Sequence, residues 1–185
     1  MQREHITFSI LSNRLSRLRI RPRNVAQVVR HTAACLKGKV PPRVLASLFL
    51  LWSNGLVTSR RTGSSSRCKF CQAVFSDCSI EHFSQCQAIK VLGTHFVNTP
   101  RRYTREQFFC MHKESSDLII QRACHVHLVK RTSDFLRHNP NACPVLSYRA
   151  QVWKLALSKA NFVYKLSTEG LVVKGDEQLQ SASSS

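Results

Sequence analysis

The sequence predicts a mainly α protein, an irregular helical bundle with a small Cys3His knuckle inserted between its helices. Three observations carry this. Apolar residues recur at helical spacing in several stretches, each opened by a capping residue and closed by Gly or Pro. Strand-like patterning is confined to the first ten residues and to Leu171-Val172-Val173. Cys68, Cys71, His82 and Cys86 fall together between two helical stretches. With 185 residues, 43% of them hydrophobic, the chain fits one domain or two small ones and can bury a true core. That composition excludes collagen-like, acidic and low-complexity chains.

Residues 1–22 form a basic segment that stops at Arg21-Pro22. Residues 23–67 are a basic helical region and loop. Asn24 can cap a helix to about Lys37, with Val25, Val28, Val29 and Leu36 on its apolar side and Gly38 as its stop. Pro41-Pro42 opens a helix from Arg43 to about Trp52, ended by Asn54-Gly55. Residues 58–67 are a polar loop. Residues 68–92 hold the Cys/His cluster and a helix starting near Asp77 or Ser79. Residues 93–166 are helical again. Thr104 caps a short helix carrying Phe108 and Phe109. Ser115 or Ser116 caps the longest helix, ended by Asn139-Pro140, with Leu118, Ile119, Ala123, Val126, Val129 and Leu136 on its apolar face. A last helix runs from about Val145 to Leu166. Residues 167–185, ending in serines, are expected to be a disordered tail.

Lys and Arg number 28 against 10 Asp and Glu, a net charge of +18. Residues 1–67 contribute thirteen basic side chains and one acid, Glu4. A compact body with that field repels itself unless it meets a polyanion, and nucleic acid is the commonest one. Arg21, Arg23 and Arg67 in this stretch, and Lys69 just after it, are candidate contacts. The longest apolar run, Val44–Trp52 broken by Ser47, is too short for a bilayer, which needs about 20 residues. No secretory signal is evident, so the expected compartment is the nucleus or cytoplasm. A mitochondrial presequence is the lesser alternative: residues 1–23 carry six Arg and one acid, with Ile10, Leu11, Leu15 and Leu18 on one helical face.

In such a compartment thiols stay reduced, and clustered ones read as metal ligands. Cys68-Lys69-Phe70-Cys71 places two thiolates on one tight turn. His82 and Cys86 stand four apart, so a helix points both the same way. Together the four make a tetrahedral Cys3His set, the chemistry of structural zinc. Four protein ligands leave no position for water, so the ion would fold the module and contribute about 10 kcal/mol or more. Cys78 and then His95 are the substitute ligands. Cys35, Cys110, Cys124 and Cys143 read as small buried hydrophobes. His112, His125 and His127 are expected to be surface or half-buried histidines, Trp52 and Trp153 in the core. Phe70 could stack on a base or pack over the metal.

Trp52-x-Asn54-Gly55-x-x-Thr58-Ser59-Arg60-Arg61, then Cys68-x2-Cys71, then Ser79-Ile80-Glu81-His82-x3-Cys86, resembles the C-terminal, post-polymerase region of non-LTR retrotransposon reverse transcriptases of the protist and algal type. The resemblance covers about residues 40–140. It implies that Cys68, Cys71, His82 and Cys86 hold zinc and that Arg60 and Arg61 touch template or target nucleic acid. The gap between Cys71 and His82 is longer than is usual there, and Gln87 follows where Pro is often found. The chain contains no Asp-Asp pair, no Gly-rich phosphate loop and no Gly-x-Ser-x-Gly turn. A binding module without catalysis is therefore expected, as a detached or truncated piece of such a protein. The alternatives are a zinc-dependent protein-interaction domain and an orphan reading frame without a selected function.

Overall fold

The computed structural model describes residues 2–20, 24–53, 55–56, 67–73, 79–157, 164–167 and 170–173. They form eight helices and one two-stranded hairpin around a single continuous core.

Helix α1 spans Gln2–Arg17, so residues 2–10 are helical and not strand-like. Its last turns place Leu11 and Leu15 against the core, while Ile10 stays 64% exposed. The chain then turns through Arg19, whose φ is 57°, and buries Leu18 and Ile20. Arg105 pins this turn by donating to the Leu18 carbonyl at 2.7 Å. The amphipathic pattern that suggests a presequence is thus used for packing.

Helix α2, Val25–Leu36, starts where Asn24 Oδ1 accepts from the Gln27 N–H at 2.9 Å. It ends before Gly38, which takes φ +70°, a conformation glycine adopts without strain. Helix α3, Pro42–Trp52, carries Pro at its first position, where the missing N–H costs nothing. Trp52 is buried and donates its indole N–H to the Phe109 carbonyl at 2.7 Å.

Helices α4, Ile80–Gln85, and α5, Gln87–Val97, meet at Cys86. The single helix expected after Ser79 is therefore broken, because Cys86 adopts φ −60°, ψ 117°. Asn98, with φ 55°, closes α5. Helix α6, Arg105–Phe108, has a complete capping box: Thr104 Oγ1 accepts from Gln107 N–H and Gln107 Oε1 accepts from Thr104 N–H.

Helix α7, Ser116–His138, is capped by Ser115 and is about 35 Å long. It buries Arg122, His125 and His127 as well as its expected apolar face from Ile119 on, with Leu118 half-buried, so its middle is enclosed on all sides. It packs against α2, α3, α5, α6 and α8. Helix α8, Pro144–Ala156, is shorter than expected. Strand β1, Tyr164–Ser167, pairs antiparallel with β2, Gly170–Val173, with Leu166 opposite Leu171. The β-branched Val172-Val173 needs a partner ladder, and residues 164–167 supply it in place of a longer helix. Within the expected tail, Ser167 and Gly170–Val173 thus belong to the hairpin. Residues 174–185 lie outside the described ones.

Candidate metal centre

Residues 67–73 form a tight turn, closed by the Gln72 N–H on the Cys68 carbonyl at 2.9 Å. Gln72 itself takes φ 54°. Inside the turn the Phe70 N–H points at Cys68 Sγ at 3.4 Å, a bond that favours a thiolate there. Ser79 caps α4 by accepting from the His82 N–H at 3.1 Å, which fixes where the imidazole leaves the helix. One turn later the Cys86 N–H reaches the His82 carbonyl at 2.7 Å, and the chain bends.

The ligand atoms of Cys68, Cys71, His82 and Cys86 all lie within 4.8 Å of one another. Cys68 Sγ is 4.0 Å from Cys86 Sγ, and Cys71 Sγ is 3.5 Å from His82 Nε2. A tetrahedral zinc with ordinary bond lengths would put sulfur–sulfur edges at about 3.8 Å and sulfur–nitrogen edges at about 3.6 Å. Both separations are close to those edges, and the four side chains could hold a zinc-sized ion. The 4.0 Å separation of Cys68 and Cys86 is about twice a disulfide bond, and both are free thiols. The hydrogen bond to Cys86, then burial, pushes the Cys68 thiol up, while the bond from Cys68 pulls Cys86 down. A divalent cation would hold both sulfurs as thiolates.

The centre is rooted in the core. Cys68 and Cys86 are buried, and Phe70 packs edge-on against Phe83 at 5.9 Å between ring centres. Phe70 is therefore packing material beneath the site, not an exposed stacking ring. His95 lies nine residues beyond Cys86 on α5, about 13 Å of helix rise, and is exposed, so it is no substitute ligand. Cys78 lies outside the described residues.

Of the expected nucleic-acid contacts, Arg67 is exposed and Lys69 is half-buried, both flanking the first ligand. Arg21, Arg23, Arg60 and Arg61 lie outside the described residues. Three other expectations are corrected. His125 and His127 are buried, at 1% and 5% exposure, because they sit in the enclosed middle of α7. Trp153 is 47% exposed, because α8 turns Tyr148, Val152 and Leu155 inward and leaves Trp153 off that stripe. Cys143 is exposed and Cys35 half-buried; Cys110 and Cys124 are buried as expected.

Buried polar groups that spacing does not reveal cluster beside α5. His125 Nδ1 is 2.7 Å from Tyr148 Oη, and its Nε2 is 3.4 Å from Tyr103 Oη. Burial, then Arg122, holds His125 neutral with a pKa lowered to about 3. Burial, then Arg43, Arg131 and Lys130, lowers His127 to about 4. The available signal was the stretch 123–129, which contains no Lys, Arg, Asp or Glu. Arg122 in turn pairs with Glu114, both almost fully buried.

No family model, curated protein or solved structure matches the chain. Among the described residues no helix is long and apolar enough to cross a membrane.

Proposed function

We propose that this is a non-catalytic, zinc-stabilised nucleic-acid-binding module, of the kind that follows the polymerase in non-LTR retrotransposon reverse transcriptases, acting in the nucleus or cytoplasm. The observation that carries the reading is the Cys3His set converging within 4.8 Å in a chain of net charge +18. The ion would use all four ligands, so its work is structural. It would hold the turn bearing Arg67 and Lys69 against a basic body whose cations neutralise phosphates. Counterion release then supplies most of the affinity, with little base preference.

The test is an electrophoretic shift of single- and double-stranded RNA and DNA by the zinc-loaded chain. Binding at about 50 mM salt, lost by several orders of magnitude toward 200 mM, is expected. Absence of a shift at the lower salt overturns the reading. A zinc-dependent protein-interaction domain is the second reading. It is favoured by the exposed apolar side chains Phe49, Leu146, Trp153 and Leu157. Binding to a protein partner that salt leaves unchanged would select it.

A further inference from the structure

A pocket of about 450 Å³ opens where α3, α7 and α8 meet, apart from the metal centre. That volume lies in the range that takes small organic ligands, about 300–1,000 Å³. Three buried polar side chains belong to it, Ser47, His127 and Gln151, at 3%, 5% and 6% exposure. Ser47 Oγ stands 3.0 Å from the Arg43 carbonyl and 2.8 Å from His127 Nδ1. The carbonyl can only accept, and the hydroxyl has one proton. Both bonds therefore coexist when Ser47 donates to the carbonyl and His127 Nδ1–H donates to Ser47.

Four cations from three helices line the same recess: Arg43, Lys130, Arg131 and Lys154. No carboxylate is among the lining residues. Asp134, one turn beyond Lys130, accepts from its ammonium at 2.7 Å and also takes Arg137 at 3.2 Å, so one acid answers two cations. Arg43 donates to the Lys154 carbonyl at 3.1 Å, which braces α3 on α8 and fixes the width of the opening. Like charges rooted this close together raise the local potential, and an anion is the complement that lowers it. Leu50 and Leu155 add an apolar wall, which a bare inorganic ion would not use.

We propose that this pocket binds an organic phosphate, with the phosphate against Arg131 and Lys154 and the carbon skeleton against Leu50 and Leu155. A free nucleotide and the 5′-phosphorylated end of a strand present the same chemistry. The guanidinium fork suits two phosphate oxygens and the lysine acts as a point charge. The site stands independently of the metal centre and of the nucleic-acid reading, since a free nucleotide would satisfy it alone.

Isothermal titration of the zinc-loaded full chain at about 100 mM salt tests it, with AMP, adenosine and inorganic phosphate as probes. AMP should bind one per chain, and adenosine about tenfold more weakly or worse. Arg131→Gln with Lys154→Gln should weaken AMP by about tenfold or more. The same charge loss at the exposed pair Arg101→Gln with Arg102→Gln should leave it within about twofold, since screened distant charges matter little. Ala46→Phe, at the pocket mouth, should block AMP with no change of charge. Oligonucleotides with a 5′-phosphate or a 5′-hydroxyl separate the two sources: a preference for the phosphorylated strand marks a strand end, and equal affinity marks the free nucleotide. The proposal is overturned if AMP does not bind, if adenosine binds as well as AMP, or if the two double variants weaken AMP equally. AMP binding in a chain that shifts no nucleic acid would retain this site and remove the proposed function.

Discussion

The pair Arg122–Glu114 offers the sharpest test of what holds the helices together. Glu114 precedes α7 and Arg122 lies within it, with side chains 7% and 3% exposed. Arg122 Nε donates to Glu114 Oε2 at 2.8 Å and Nη2 to Oε1 at 3.1 Å, a two-pronged bond. Gln107 Nε2 adds a third donor at 2.9 Å, and the guanidinium also lies 5.3 Å from the centre of the Tyr103 ring. Glu114→Gln keeps the shape and removes the charge, leaving a guanidinium buried without its counterion. Breaking one side of such a pair costs about 3–5 kcal/mol. Whole domains have only about 5–15 kcal/mol of stability, so about a fifth of it or more would go. In urea, with zinc held constant, the midpoint should fall by about 1–2 M at an unchanged slope. Glu114→Gln with Arg122→Met removes both charges and should recover to within about 1–2 kcal/mol of wild type. A single-variant loss below about 1 kcal/mol would refute the reasoning, because it would mean that water reaches the guanidinium.

Three further outcomes are expected. His82→Ala or Cys68→Ala should reduce bound zinc from one per chain to near zero and open residues 67–92 to protease; wild-type metal content in either variant would remove the ligand assignment. Gly93→Ala should destabilise by about 1–2 kcal/mol despite the better helix propensity of alanine, since a Cβ there would meet Thr99 Oγ1 at 2.7 Å and His125 Cε1 at 2.8 Å; an unchanged or higher melting temperature would count against that contact. Finally, His125 and His127 have folded pKa values of about 3 and about 4, below the unfolded value near 6.5. The unfolded chain therefore takes up protons first as pH falls, so stability is complete above about 6.5 and declines toward pH 4, by about 2 kcal/mol per histidine at pH 5. His127→Gln should flatten that decline measured with zinc in excess, and a slope equal to wild type would refute the burial of this imidazole.

Local devices were legible in the sequence because each closes within four residues. Asn24, Ser79, Thr104 and Ser115 cap the helices they were expected to cap. The four candidate metal ligands were legible for the same reason: a three-residue turn and a four-residue helical step each present two of them. What brings the two halves together is the packing of Phe70 on Phe83, which no spacing encodes. The remaining misses are also long-range. Whether Trp153 or Val152 faces inward depends on which neighbour α8 meets. That His125 and His127 are buried follows from helices packing around all sides of α7, and its two-sided burial erases the amphipathic stripe that sequence reading looks for. Tyr164–Ser167 became a strand because a partner beginning three residues on required it.

Cys86 closes α4 and opens α5 in one residue. An ion bound there would clamp a joint between two rods, and the second rod carries Gly93 seven residues on, where it abuts His125. Occupancy of the centre and the fit of the interior are thus one mechanical system: loosening the joint swings the lever that presses on the buried His125.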